Sequence, residues 1–172
     1  MSEEVPKEAM AYRLGSMTKD HRGAVVEIFN HYVESGFAAY PEEPVGEELF
    51  DRFREMSDGY PRLVAVDQAG SVAGFAFLHP YRAGSTFRRA AEVTTFLHPD
   101  HTRKGLGSLL LEQLVAHAKA QGIEILLANV SSLNKPSLRF HQKHGFTECG
   151  RLRRIAVKHN TPFDIVWLQR DL

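Results

Sequence analysis

A single cysteine, Cys149, among 172 residues excludes an internal disulfide and makes a reducing, cytoplasmic setting the default expectation. No excess charge of either sign exists, because 21 basic residues balance 21 acidic ones. That balance removes the electrostatic footprint of a nucleic-acid or anionic-membrane partner. No apolar run approaches the roughly 18 residues of a membrane span. Met1–Lys7 is polar and acidic rather than signal-like. Nine histidines are present, yet His98 and His101 are three apart across Pro99, and His141 and His144 lack cysteine or carboxylate companions at ligand spacing, so no metal is expected. Repeats and low-complexity segments are absent. The length fits one domain, read as a polar extension over residues 1–10 followed by a single domain over residues 11–172.

The richest stretch runs from Ala91 to Leu114. Ala91, Val93, Thr95 and Leu97 alternate with Glu92, Thr94 and Phe96, a strand pattern that Pro99 and Asp100 end. Leu106, Leu109, Leu110, Leu114 and Ala118 then recur at helical spacing. Between them lies Arg103-Lys104-Gly105-Leu106-Gly107-Ser108. Glycines at a helix start let backbone N–H groups approach an anion, and the helix dipole adds positive potential. The pattern is a phosphate cradle following a strand. It is not a P-loop, since no Gly-Lys-Ser/Thr follows at the required distance. Nor is it a dinucleotide fingerprint, which would want glycine at Leu110 and an acidic residue where Asn129 and Val130 stand.

The remaining pattern is mixed α/β. Ala11–Leu14 reads as a strand, and Thr18 as the cap of a helix with Val25, Ile28, Phe29 and Tyr32 on one face. Ser35–Gly46 is a loop, followed by a short helix with Phe50 and Phe53 inward. Arg62–Asp67 and Val72–His79 form a hairpin pattern. After the central strand and helix, which Gly122 stops, Ile123–Val130 has buried-strand length. Asn134 caps a helix with Pro136 in its first turn and Gly145 at its end. Arg151–Lys158 and Phe163–Gln169 close as two antiparallel strands around Asn160-Thr161-Pro162.

The loop Thr102-Arg103-Lys104-Gly105-Leu106-Gly107 resembles the Gln/Arg-x-x-Gly-x-Gly/Ala signature of the GNAT superfamily of N-acetyltransferases, with Thr102 departing from the usual first residue. A second block, Asn134 to Phe146, is similar to that superfamily's Asn-x-x-Ala-x-x-Leu-Tyr-x-x-x-Gly-Phe pattern, with His141 at the tyrosine position. Histidine there marks the phosphinothricin and methionine-sulfoximine acetyltransferase branch. Asn30-His31-Tyr32-Val33-Glu34, Tyr60-Pro61-Arg62-Leu63-Val64-Ala65, the Glu92-to-Gly105 spacing and Gln169-Arg170-Asp171-Leu172 carry the same resemblance. It implies the acyl-CoA N-acyltransferase fold, a mixed α/β (α+β) architecture with a central sheet of about seven strands flanked by about four helices. It implies acetyl-CoA as co-substrate, a sheet splayed at the motif strand, and a homodimer. Backbone groups of Thr95, Phe96 and Leu97 would pair with the pantetheine arm, Arg103 to Ser108 would hold the pyrophosphate, and Asn134 would bond the arm.

Acetyl transfer to an amine needs a base, because an amine of pKa about 9–10 is mostly protonated at neutral pH. The resemblance places the branch's catalytic carboxylate on Glu92, whose apolar strand setting would raise its pKa. As a residue alone, it reads instead as a solvent-facing glutamate on a half-exposed strand. His141 either protonates the departing thiolate or accepts the amine proton, and the sequence leaves both roles open. Cys149 is expected to be a small buried core residue. For the acceptor, Tyr40 matches the branch's loop aromatic and Arg82 its first basic residue. Gly84 replaces a common arginine and Phe87 a tyrosine. Losing a bidentate arginine disfavours a phosphinate. The expected acceptor is therefore a small primary amine, an amino acid or analogue less acidic than phosphinothricin. A peptide or protein amine, and a catalytically silent acyl-CoA sensor, are the other readings.

Overall fold

The computed structural model describes residues 11–172, so the expected extension over residues 1–10 lies outside the described residues. Seven strands form one sheet: β1 (Arg13–Ser16), β2 (Arg62–Val66), β3 (Val72–Pro80), β4 (Ala90–Leu97), β5 (Ile125–Ser131), β6 (Thr147–Lys158) and β7 (Thr161–Asp171). Their spatial order is β1-β2-β3-β4-β5-β7-β6. Four helices pack on it: α1 (Arg22–Glu34), α2 (Glu48–Met56), α3 (Leu106–Ala120) and α4 (Lys135–Lys143). The expected mixed sheet and helix number are what the described residues form. Only β4 and β5 run parallel, joined by a crossover through α3.

Two cores lie on opposite faces. Leu106, Leu110, Leu111 and Leu114 of α3 pack with Ala91, Val93, Leu126 and Phe146. On the other face, Phe29, Phe53, Phe75, Phe77 and Phe96 interlock with ring centroids 5.0–6.0 Å apart, seating α1 and α2 over β2–β4. On the β5–β7 part of that second face, Leu127, Trp167 and Gln169 line a cleft of about 380 Å³.

Several boundaries differ from the sequence reading: β1 is Arg13–Ser16 rather than Ala11–Leu14, and β5 is Ile125–Ser131 rather than Ile123–Val130. Thr18 caps a 3₁₀ turn (Lys19–His21), and α1 starts after it. The β6–β7 turn is His159-Asn160, at φ 47° and 61°, so Thr161 and Pro162 belong to β7. β6 begins at Thr147 rather than Arg151, because two register shifts obscure its alternation.

Candidate active site

The site begins where the sheet opens. β4 and β5 pair only through Ala90–Ile125, Ala91–Leu126 and Glu92–Leu127, while β4 stays paired to β3 up to Leu97. Glu92 therefore sits in the crotch of the splay. The His98 N–H donates to the Ala73 carbonyl, which fixes the alternation. Residues 92, 94 and 96 bond β3, whereas 93, 95 and 97 turn their backbone groups to the open edge. This modifies the expectation for the cofactor strand. Thr95 and Leu97 present amides to the gap, but Phe96 turns its amide to β3 and its ring to the aromatic core. The Leu97 carbonyl accepts from the Tyr32 hydroxyl at 2.6 Å, so α1 is tied to the same edge.

At the end of that edge the glycine loop enters α3. Arg103 and Gly105 both take positive φ, 58° and 80°, and Gly105 is the helix cap. The Leu109 N–H closes onto the Gly105 carbonyl at 3.1 Å, leaving the N–H groups of Leu106, Gly107 and Ser108 without α-helical partners. Arg103 and Lys104 are exposed beside them, while the Leu106 side chain is buried. A Cβ on Gly107 would lie 3.1 Å from a Phe140 ring carbon, so glycine there lets α3 approach α4 closely. The His144 Nδ1–H donates to the Phe140 carbonyl at 2.8 Å, and its Nε2 therefore accepts the Ser108 hydroxyl at 2.9 Å. Ser108 can reach an anion through its amide; its hydroxyl is committed. Asn134 caps α4 as expected from its pattern, its Oδ1 accepting the Ser137 N–H at 3.3 Å.

Glu92 stands in a relay that strand register assembles. Its side chain is 13% exposed. The Asn129 side-chain amide donates to one carboxylate oxygen, and His79 Nε2 lies 3.9 Å from the other. The Tyr40 hydroxyl in turn donates to Asn129 Oδ1 at 2.9 Å. Burial raises the Glu92 pKa above the usual carboxylate value; the His79 charge and the Asn129 hydrogen bond oppose that rise. Tyr40 keeps one side of its ring in solvent, yet loss of water at the rest and the nearby Glu92 charge push its phenol up to about 12. His79 and Asn129 were not among the sequence candidates. The only signal for them is cross-strand register, His79 opposite Glu92 on β3 and Asn129 two residues past Leu127 on β5.

Two aromatic groups lie by this relay, one joined to it by the Tyr40–Asn129 hydrogen bond and one through Trp167, the β7 register partner of Asn129. Tyr40 stacks on Phe163, with Phe37 edge-on to the same ring at 5.5 Å. In the second group, Tyr81 meets Trp167 edge-on at 6.2 Å and Phe87 at 6.0 Å, with Leu127, Gln169 and Gly150 completing the cleft. Arg82 is exposed, its guanidinium 5.8 Å above the Phe87 ring. Tyr81 and Trp167 are further residues that the sequence reading passed over. Gly84 adopts φ 110°, a conformation that makes an arginine side chain there strained. Cys149 overturns its expected burial: it is an exposed free thiol lining the cleft, because the β6 register shift between Glu148 and Gly150 turns it out of the core.

His141 is buried on α4, against the edge of Phe146 at 5.0 Å. Its Nδ1–H donates to the Ser137 carbonyl at 2.8 Å, which fixes the tautomer and leaves the Nε2 lone pair free of described protein partners. It shares no hydrogen bond with Glu92 among the described residues. Burial lowers its pKa below the usual 6.5, with His144 adding to that and the Ser137 bond opposing it. Below pH 6.5 the unfolded chain therefore binds a proton that the folded chain resists, and acid removes stability. Thermal melts at pH 7 and pH 5 check this: wild type should lose ground to His141→Gln as pH falls. A constant difference would sink the assignment.

A family model described as "Acetyltransferase (GNAT) family" matches residues 25–146. The chain belongs to this GNAT family. This GNAT protein is 36% identical over 149 residues to a phosphinothricin N-acetyltransferase of Streptomyces viridochromogenes, covering 86% of this chain and 81% of that one. It is 32% identical to an L-amino acid N-acyltransferase of Escherichia coli, covering 87% of each chain. The solved structure of a GNAT superfamily phosphinothricin acetyltransferase from Sinorhizobium meliloti, in complex with AcCoA, aligns with TM-score 0.88 at 30% identity, over 95% of this chain and 89% of that one. The GNAT protein described here is thus an acetyl-CoA-dependent N-acetyltransferase. Its own residues suit that co-substrate. An unpaired strand edge matches an extended amide-bearing arm, and three helix-start amides beside two cations match a pyrophosphate. Among the described residues no group of three metal-ligating side chains occurs, and no helix is long and apolar enough to cross a membrane.

Proposed function

We propose that this enzyme acetylates the primary amine of a small amino acid or amino-acid analogue by direct attack in a ternary complex. The observation that carries the reading is the position of Glu92: a desolvated carboxylate in the crotch of the splay, at the last β4–β5 pair, whose partner Leu127 lines the cleft. Acetyl-CoA, when bound, supplies an activated acyl carbon. The free amides of Thr95 and Leu97, those of Leu106 to Ser108, and Arg103, Lys104 and Asn134 would hold it.

Glu92 removes a proton from the acceptor ammonium, and its raised pKa brings its basicity nearer to the working pH. Asn129 fixes the carboxylate and Tyr40 fixes Asn129, so hydrogen bonds orient the base. His141 begins a turnover neutral, with Nε2 as an acceptor, and so takes a proton before it can give one. It therefore takes the second proton, which the attacking nitrogen carries once the C–N bond forms, and passes it to the departing thiolate, while Glu92 has taken the first. Tyr40, Tyr81, Phe87 and Trp167 favour an apolar or weakly polar side chain on the acceptor, and Arg82, whose guanidinium lies over Phe87, is the cation assigned to its carboxylate. Tyr40 reaching across to β5 closes the groove that a peptide acceptor would need, which supports a small amine. Leu152, Ile155 and Val157 stand exposed along β6, an apolar strip suited to the homodimer that the resemblance implies.

Thiol release from acetyl-CoA, measured against neutral and acidic amino acids, methionine sulfoximine, phosphinothricin, polyamines and a short peptide, tests this. Saturable release is expected with neutral amino acids or methionine sulfoximine, and weaker release with phosphinothricin. Release with the peptide alone would overturn the small-molecule reading, and silence with every amine would favour a sensor.

A further inference from the structure

Lys158, at the tip of the β6–β7 hairpin, is only 1% exposed. Its Nζ lies 2.7 Å from the Val33 carbonyl, 2.9 Å from Gly36 and 2.8 Å from Ala39, with Tyr32 at 3.4 Å. Three ammonium protons thus meet three carbonyls, two from the loop after α1 and one from its last turn, where the helix dipole favours a cation. No carboxylate forms an ion pair with it among the described residues; Glu42, the nearest acidic influence, spends an oxygen on the His159 N–H at 2.7 Å. A buried unpaired charge is costly, and surface ion-pairing does not explain it. Its four carbonyls all belong to the short span from Tyr32 to Ala39. That span has Tyr32 anchored on the open β4 edge at one end and Tyr40, whose hydroxyl holds Asn129 against Glu92, just beyond the other.

We propose that Lys158 is a positioning residue for acetyl transfer: it clamps the loop from Gly36 to Ala39 so that Tyr40 holds the Asn129–Glu92 relay and one wall of the acceptor cleft. This inference rests on the reading of Glu92 as base. The same hairpin supplies Phe163, on which Tyr40 stacks, so one β-hairpin holds both the Tyr40 ring and the Ala39 carbonyl just before it. The Lys158 ammonium lies behind the loop, bonded to its backbone, and acts on the reacting groups only through Tyr40.

The test uses full-length protein carrying fluorotyrosine, with the Tyr40 resonance assigned by Tyr40→Phe. Lys158→Met removes the ammonium at similar length, and Lys158→Gln, which keeps two N–H donors, serves where Met does not fold. In the variant that folds, the Tyr40 resonance should move toward a solvated position while those of Tyr60 and Tyr81 stay. Acetyl-CoA affinity should hold, acceptor kcat/KM should fall roughly ten- to hundredfold, and adding Tyr40→Phe should cost little more, because both changes break one path. An unmoved Tyr40 resonance overturns the proposal. So does a moved resonance with unchanged acceptor kinetics, or a double variant whose losses simply add. Failure of the Glu92 reading is separable, since it shows as undiminished turnover in Glu92→Gln with Lys158 intact.

Discussion

Replacing Glu92 by glutamine is expected to lower turnover by roughly a hundredfold or more, the usual worth of a positioned general base, while acetyl-CoA binding persists. Glutamine keeps an oxygen to accept the Asn129 amide and nearly the same volume, so the relay survives and only the proton acceptor is lost. The same change should raise the melting temperature at neutral pH. Burial lifts the folded-state pKa of Glu92 above its ordinary 4.5. The group's favourable contribution is therefore complete only below pH 4.5 and is lost as pH rises through the lifted value. At pH 7 the ionised form is held against that preference, and a neutral amide relieves it. Steady-state kinetics, cofactor titration and thermal melts on the one variant read all three effects. Unchanged turnover would remove Glu92 from the chemistry, and a lower melting temperature would mean that its charge stabilises the fold. In wild type, the acid limb of kcat/KM should lie above the ordinary carboxylate range for the same reason.

Local pattern carried far in this chain. The Ala91–Leu114 stretch set out β4, the glycine loop and α3 in order because apolar periodicity and glycine placement are properties of neighbouring residues. Asn134 and Pro136 marked the start of α4, and the fold order followed. What the sequence concealed depends on partners far along the chain. Asn129 is 37 residues from Glu92 and meets it only through the register of a parallel pair. His79 reaches Glu92 through the β3–β4 register, and a one-residue slip would turn either side chain to the other face. Cys149 looked like a core residue by type, but the adjacent register shift decides its direction, and such shifts leave weak local signals. Lys158 is the sharpest case. A lysine beside a turn reads as solvated, and only the folded chain shows the ring of carbonyls that buries it.

Two adjacent prolines in β4 should have opposite consequences, because the strand's edges do different work. Thr94 bonds β3, so Thr94→Pro removes a rung from the centre of the sheet and should cost about 1–3 kcal/mol of stability for the acceptor left unpaired. Thr95 turns its N–H to the open edge, past the last β4–β5 pair at Glu92–Leu127. Thr95→Pro therefore removes no ladder bond, and its ring occupies the gap that an extended ligand would use. The fold should survive that change with a modest loss of melting temperature. Acetyl-CoA affinity should fall roughly ten- to hundredfold, the effect of a lost hydrogen bond plus an unpaired partner. The Thr95→Ala variant, which keeps the backbone N–H, should bind nearly as well as wild type, separating the main-chain contribution from the side chain. Calorimetric titration with acetyl-CoA, paired with thermal melts, reads both quantities on each variant. If Thr95→Pro bound as tightly as wild type, the open edge would not be the cofactor's track, and the glycine loop would have to hold the ligand without it. If instead Thr95→Pro melted as badly as Thr94→Pro, the alternation deduced from the His98–Ala73 bond would be wrong, and with it the assignment of which amides face the gap.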